Sequence, residues 1–171
     1  KNRANFYDGQ VNVVDPAGNP FALFPARQYT EHIAEHVEPW TYITFPYLKK
    51  VGWKGFVDGA DSGVYRVAPL ARLNVADGMA TPLAEEARAM MFATLGGKPV
   101  HATLAFHWAR LIELLHSAEV IKELLLDKDL QGTKLIKKGK KVSEGVGRIE
   151  APRGTLFHHY RINGNDQITM A

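Results

Sequence analysis

The stretch EAPRGTLFHHY, Glu150 to Tyr160, sets a proline, an arginine and a glycine side by side and follows them with two adjacent histidines. A proline fixes its own backbone dihedral and has no amide hydrogen, and a following glycine turns where a side chain would clash. Arg153, held between Pro152 and Gly154, is therefore expected on stiff backbone, aiming a permanently charged, five-donor fork at one place. Glu150 and His158 stand on the same stretch as candidates for moving a proton. In a strand His158 and His159 face opposite ways, so one is inward and the other solvated; His158 then reads either as a satisfied buried histidine or as a proton relay.

Other candidates are weaker. His32 and His36 have helical zinc-pair spacing in EHIAEH, but the residue after His32 is Ile33, which removes the general base of the His-Glu-x-x-His pattern. His107, Arg110, Glu113, His116 and Glu119 recur on one long predicted helix as a polar stripe, and His107 with Glu113 lacks a third ligand. GADSGVY holds a serine between glycines without the spacing of a nucleophile elbow, and no phosphate-binding glycine loop is present.

These residues must be positioned by the elements around them. The 171 residues are 46% hydrophobic and 23% charged, ordinary for one globular unit with a core. The sequence contains no cysteine, which excludes disulfides, thiolate nucleophiles and sulfur-ligated metals within it. No apolar run reaches the roughly 20 residues of a membrane span, and the first residues carry no secretory signal, so a cytoplasmic protein without membrane contact is expected. The net charge of +3 owes much to KLIKKGKKV, Lys134 to Val142, which lacks the interleaved aromatics of a nucleic-acid reader. No nucleic-acid partner is expected.

The pattern predicts an α+β segment covering 1–171 as one unit, cut from something longer. NFYDGQVNVVDPAGNPFALF reads as an N-terminal hairpin around DPAGNP. YTEHIAEHVEPW reads as a short helix capped by Thr30 and ended by Pro39. TYITFPYLKKVGW is extended, and GFVDGADSGVYRVAPLARLN reads as turn, strand and loop. Two main helices follow, at about 81–95, opened by Thr81 or Asp77, and at about 102–126, where Leu104, Trp108, Leu111, Leu115 and Ala118 recur at helical spacing. A C-terminal β-hairpin surrounds the Ala-Pro-Arg-Gly turn.

Taken together, EGVGRIEAPRGTLFHHY, YRVAPLARLN, EPWTYITFPYLK and HWARLIELLHSAE resemble the central part of the large, catalytic subunit of nickel-iron hydrogenases. The likeness is nearest to the cytoplasmic, bidirectional class linked to NAD(P) or a deazaflavin, and it covers nearly the whole chain in order. The resemblance implies reversible oxidation of dihydrogen by the full-length protein, at a nickel-iron centre held by two Cys-x-x-Cys pairs outside this chain. The isolated fragment would bind no metal and would be inactive. It further implies that Pro152 and Arg153 lie over that centre, where the guanidinium would polarise dihydrogen, and that His158 matches the family motif's histidine; His158 and Glu150 stay candidates for a proton relay, against a plain structural role. The implied partners are dihydrogen, a small iron-sulfur electron-transfer subunit, and a diaphorase or deazaflavin module. One departure stands out: the family carries glycine where this chain has Ala68, and alanine resists a positive φ. Two alternatives remain beside this reading, a metal-free quinone-site subunit of a respiratory complex of the same descent, and an isolated structural or docking domain.

Overall fold

Three helices hold the interior. They are seen in a computed structural model that describes residues 3–4, 6–59, 61–151 and 153–171. Numbered in chain order after a single helical turn, α1 (Tyr29–His32), they are α2 (Ala68–Val75), α3 (Pro82–Thr94) and α4 (Ala105–Leu125). Leu70 and Leu73 of α2, Ala84 and Met91 of α3, and Ala109 and Ile112 of α4 form one buried cluster, joined by Met79 and Val100 from the connecting loops. Among the described residues no helix is long and apolar enough to cross a membrane.

The start of α3 departs from the expected cap. Pro82 occupies its first turn, as a residue without an amide hydrogen should. The Thr81 side chain turns instead to His116 Nδ1, at 2.9 Å. The free amides of Leu83 and Ala84 donate to the Glu119 carboxylate of α4, each at 3.0 Å. A carboxylate at a helix N-terminus satisfies orphan donors and meets the positive end of the dipole, so this bond ties α3 to α4 as well as capping it.

α2 lies where a loop was expected. Its N-terminal alanine takes φ +76°, which is the left-handed conformation that alanine resists. The backbone here has the shape that a glycine takes without strain. Ala68→Gly should raise stability by about 0.5–1 kcal/mol, as relief of local strain outweighs the added freedom of the unfolded chain. The midpoint of urea unfolding checks this.

The loop between α2 and α3 is closed by Glu85. Its carboxylate accepts from Arg88 Nε and Nη2, both at 2.8 Å, and from the Met79 amide at 2.6 Å. Arg88 chiefly, against the opposing effect of burial, holds the Glu85 carboxyl at about 2, well below the ordinary 4.5. A folded value below the unfolded one gives stability that is complete above pH about 4.5 and lost as pH falls toward 2. With the side chain one-third exposed, this amounts to about 1–2 kcal/mol after solvent screening. The stability difference between wild type and Glu85→Gln should therefore be near its full value at pH 7 and much smaller at pH 3.

Strands form three antiparallel sheets. β1 (Val11–Val14) and β2 (Pro20–Phe24) make the expected N-terminal hairpin, with Asp15 Oδ1 accepting the Ala17 and Asn19 amides at 2.8 Å each. β3 (Ile33–Val37) pairs with β4 (Thr44–Leu48), placing His36 opposite Phe45. This corrects the helix expected over YTEHIAEHVEPW: only α1 is helical. Ile33 and Val37 are β-branched, and the ring of His36 stacks on Trp53 at 4.3 Å, a contact made outside the segment. His32 and His36 thus share no helix face. Pro46 lies in β4 opposite Glu35, a place open to proline because a two-stranded sheet consists only of edges.

β5 (Glu144–Ala151), β6 (Gly154–Ile162) and β7 (Ile168–Met170) complete the fold in that order, with Ala151 opposite Gly154 at the hairpin tip. Lys134 to Val142 has no regular structure and is exposed throughout, with Lys141 paired to Asp166. The mixture of helices and small antiparallel sheets is an α+β arrangement.

Candidate functional site: an arginine between two glutamates

Arg72 projects from α2 into the angle between α4 and the hairpin β5–β6. Its Nε and Nη2 meet the two carboxylate oxygens of Glu113 at 2.6 and 2.7 Å, and its Nη1 meets Glu150 Oε2 at 2.8 Å. Its guanidinium also lies over the Phe6 ring, 5.4 Å from the centroid. All three charged side chains are about nine-tenths buried. Burial alone would lower the arginine's pKa, but the hydrogen bonds and charges of Glu113 and Glu150 outweigh it and raise the value. Glu150 has a second donor, the Thr155 hydroxyl, on its other oxygen at 2.7 Å.

The local sequence explains the placement. Arg72 lies between Leu70 and Leu73 on a helix whose leucines are fully buried, so the arginine is carried to the edge of the core and not away from it. Glu113 follows buried Ile112 on α4. A cleft of about 330 Å³ opens beside the three charges, walled by Phe6, Arg110, Leu114, Ser117 and Ala151.

Of the residues singled out from sequence, Glu150 is brought into this cluster. Arg153 is not. It is exposed at the hairpin tip with φ 153°, its amide bonded to Ala151 O at 2.8 Å. Its guanidinium makes no hydrogen bond or ion pair with the described residues. Pro152 lies outside the described residues. His158 is the outward histidine, its Nδ1 2.8 Å from the Tyr160 hydroxyl. His159 is the inward one, between the Tyr29 hydroxyl at 3.1 Å and Glu144 at 2.6 Å. The stiffness expected of Arg153 is found one residue later: Gly154 is buried at φ +111°, and a Cβ there would stand 2.5 Å from Val67 Cγ2. Arg72, between Glu113 and Glu150, is a guanidinium clamped and aimed in the way expected of Arg153.

Comparison with known proteins adds a family context. No family model matches the chain. It is 46% identical over 99% of its length to an iron-sulfur subunit of the F420-non-reducing hydrogenase of Archaeoglobus profundus, covering 35% of that protein. It is 42% identical over 98% of its length to the beta subunit of the NAD-reducing hydrogenase HoxS of Cupriavidus necator, covering 33% of it. A crystal structure of an NAD+-reducing NiFe-hydrogenase in the H2-reduced state contains a polypeptide that superposes with a TM-score of 0.86 at 43% identity, over 98% of this chain and 36% of that one. The chain thus spans about a third of the length of the proteins it matches.

These names keep the hydrogenase context and correct the finer expectation. A place in the large, catalytic nickel-iron subunit, with the enzyme activity and nickel-iron centre that would follow, is overturned by the relative at 46% identity, which is named an iron-sulfur subunit. Iron-sulfur clusters are held by cysteine thiolates. None of the 171 residues is cysteine, so such a cluster does not fit the side chains present here. The carboxylates of Glu113 and Glu150 are occupied by Arg72, and among the described residues no three of His, Cys, Asp and Glu stand together as metal ligands. Any cluster ligated by cysteine takes its ligands from outside this chain.

Proposed function

We propose that the chain is a segment of a hydrogenase subunit, one that shapes the subunit and meets its neighbours while the cofactor ligands come from other parts of the assembly. The supporting observation is the likeness to hydrogenase subunits along 98–99% of the chain. The Arg72–Glu113–Glu150 cluster is the internal tie of the segment, fixing α2, α4 and β5 to one another beside the cleft. The partners are further hydrogenase subunits, and the parent protein takes part in dihydrogen-dependent redox chemistry. Isolating the parent polypeptide anaerobically through an affinity tag tests this. Other hydrogenase subunits and dihydrogen-dependent dye reduction should co-purify with it; a polypeptide that purifies alone and is inert to dihydrogen overturns the reading.

Within this reading Arg153 is a contact residue. An exposed guanidinium on a tip anchored by buried Gly154 is rigidly presented, and arginine is over-represented among the residues that dominate interfaces. Arg153→Ala should weaken assembly of the complex on the order of tenfold, while the melting temperature of the isolated chain stays within a degree or two. Subunit titration and thermal unfolding together check it.

A further inference from the structure

Helix α4 has two apolar faces. Ala105, Ala109, Ile112 and His116 form the row turned to the core. Leu111, Leu114, Ala118, Ile121 and Leu125 repeat at steps of three and four residues, and at about 100° per residue this row lies roughly opposite the first. It is a coiled-coil seam in spacing. It has no cover, since Leu111, Leu114, Ile121 and Leu125 are 63, 64, 58 and 72% exposed. Full burial on the core side stops at His116, and after Glu119, which still holds α3, the end of α4 projects with every residue from Ile121 to Leu125 exposed. A helix apolar on both sides is an interior helix of a larger structure.

The geometry points to a second helix packed along this seam, supplied by the parts of the parent subunit outside these 171 residues: amphipathic, with an apolar row facing Leu111 to Leu125 and acidic residues at its margins. Two observations select that occupant. The same fold, at a TM-score of 0.86, sits in a polypeptide of which it makes up 36%; on the proposed hydrogenase context, most of the parent is therefore available to cover the face. The margins of the seam are basic, with Arg110 on one side and Lys122 on the other, and neither has an ion-pair partner among the described residues. Glu119 and Glu123 fall toward the core side, and Glu119 is engaged by the α3 amides. A second copy of the chain would add two more cations to the seam and no anion. Acidic margins give attraction across it and set its orientation.

Fluorescence anisotropy with the 171-residue chain tests the inference without requiring hydrogenase activity. The probes are two labelled 21-residue helical peptides with leucine at the a and d positions, one bearing glutamate and the other lysine at the margins. The glutamate peptide should bind, on the order of tenfold more tightly than the lysine peptide at low salt, with the difference shrinking as salt screens it. Leu111→Asp with Ile121→Asp should abolish binding while circular dichroism and the melting temperature stay unchanged, both positions being exposed and outside the cleft. Lys122→Glu should narrow the preference. Absence of binding, equal binding of both peptides, or a homodimer in sedimentation that the double variant dissolves would each overturn it. Failure of the hydrogenase reading registers separately, as a parent protein inert to dihydrogen.

Discussion

Replacing Arg72 by methionine should lower the stability of the chain by about 3–5 kcal/mol, the range for breaking a buried ion pair by removing one partner. The reason is what remains. Glu113 loses both of its side-chain hydrogen bonds and is left at 8% exposure without its donors, whereas Glu150 keeps the Thr155 hydroxyl on one oxygen. The burden therefore falls on Glu113, and Arg72→Met with Glu113→Leu should recover a large share of the loss. Lysine at position 72 should rescue poorly, because an ammonium cannot meet the two oxygens of Glu113 and Glu150 with a planar fork. Chemical denaturation of the single and double variants measures all three. Equal stability of Arg72→Met and wild type would mean that the cluster is no tie.

Gly154→Ala should cost a similar amount, about 3–5 kcal/mol, from two sources that act together. Its φ of +111° is strained for any residue with a Cβ, and the added methyl would stand 2.5 Å from Val67 Cγ2 and 3.0 Å from Val67 Cβ, an overpacking that commonly costs about 1–3 kcal/mol. Val67 immediately precedes α2, so the clash pushes the hairpin away from the helix that carries Arg72, and Glu150 with it. Val67→Ala should therefore relieve part of the loss caused by Gly154→Ala. Thermal unfolding of both single variants and the double variant checks the coupling.

The helices that build the core are legible where their signals are local. Pro82 after Thr81 marks the start of α3, and the apolar spacing from Leu104 marks α4. α2 is obscured because its start, Ala68 at positive φ before Pro69, follows a glycine-rich run and resembles a loop by composition. β3 reads as a helix because EHIAEH spaces its polar residues as a helix would. What makes it a strand is its partner β4, seven residues further on, and the packing of His36 on Trp53. Local spacing carries no record of a pairing made across the fold.

The site is legible in one member of three. Glu150 stands out through its hairpin, and Glu113 reads only as part of a helical polar stripe. Arg72 has no signal of its own: its role arises where α2, α4 and β5 converge, which are separated by 41 residues to Glu113 and 78 to Glu150. The rigid backbone expected around Arg153 is real at Gly154, but it presents the arginine outward. Adjacency in sequence tells which turn is stiff, and only the fold tells which guanidinium is enclosed.

Dihydrogen-dependent dye reduction by the complete complex, purified with wild-type Arg72 and again with Arg72→Met, tests the central claim most directly. The account predicts turnover from the wild-type complex and loss of most of it, together with loss of subunit assembly, once the arginine between the two glutamates is gone. An intact wild-type complex that takes up no dihydrogen, or an Arg72→Met complex that assembles and turns over normally, would contradict it.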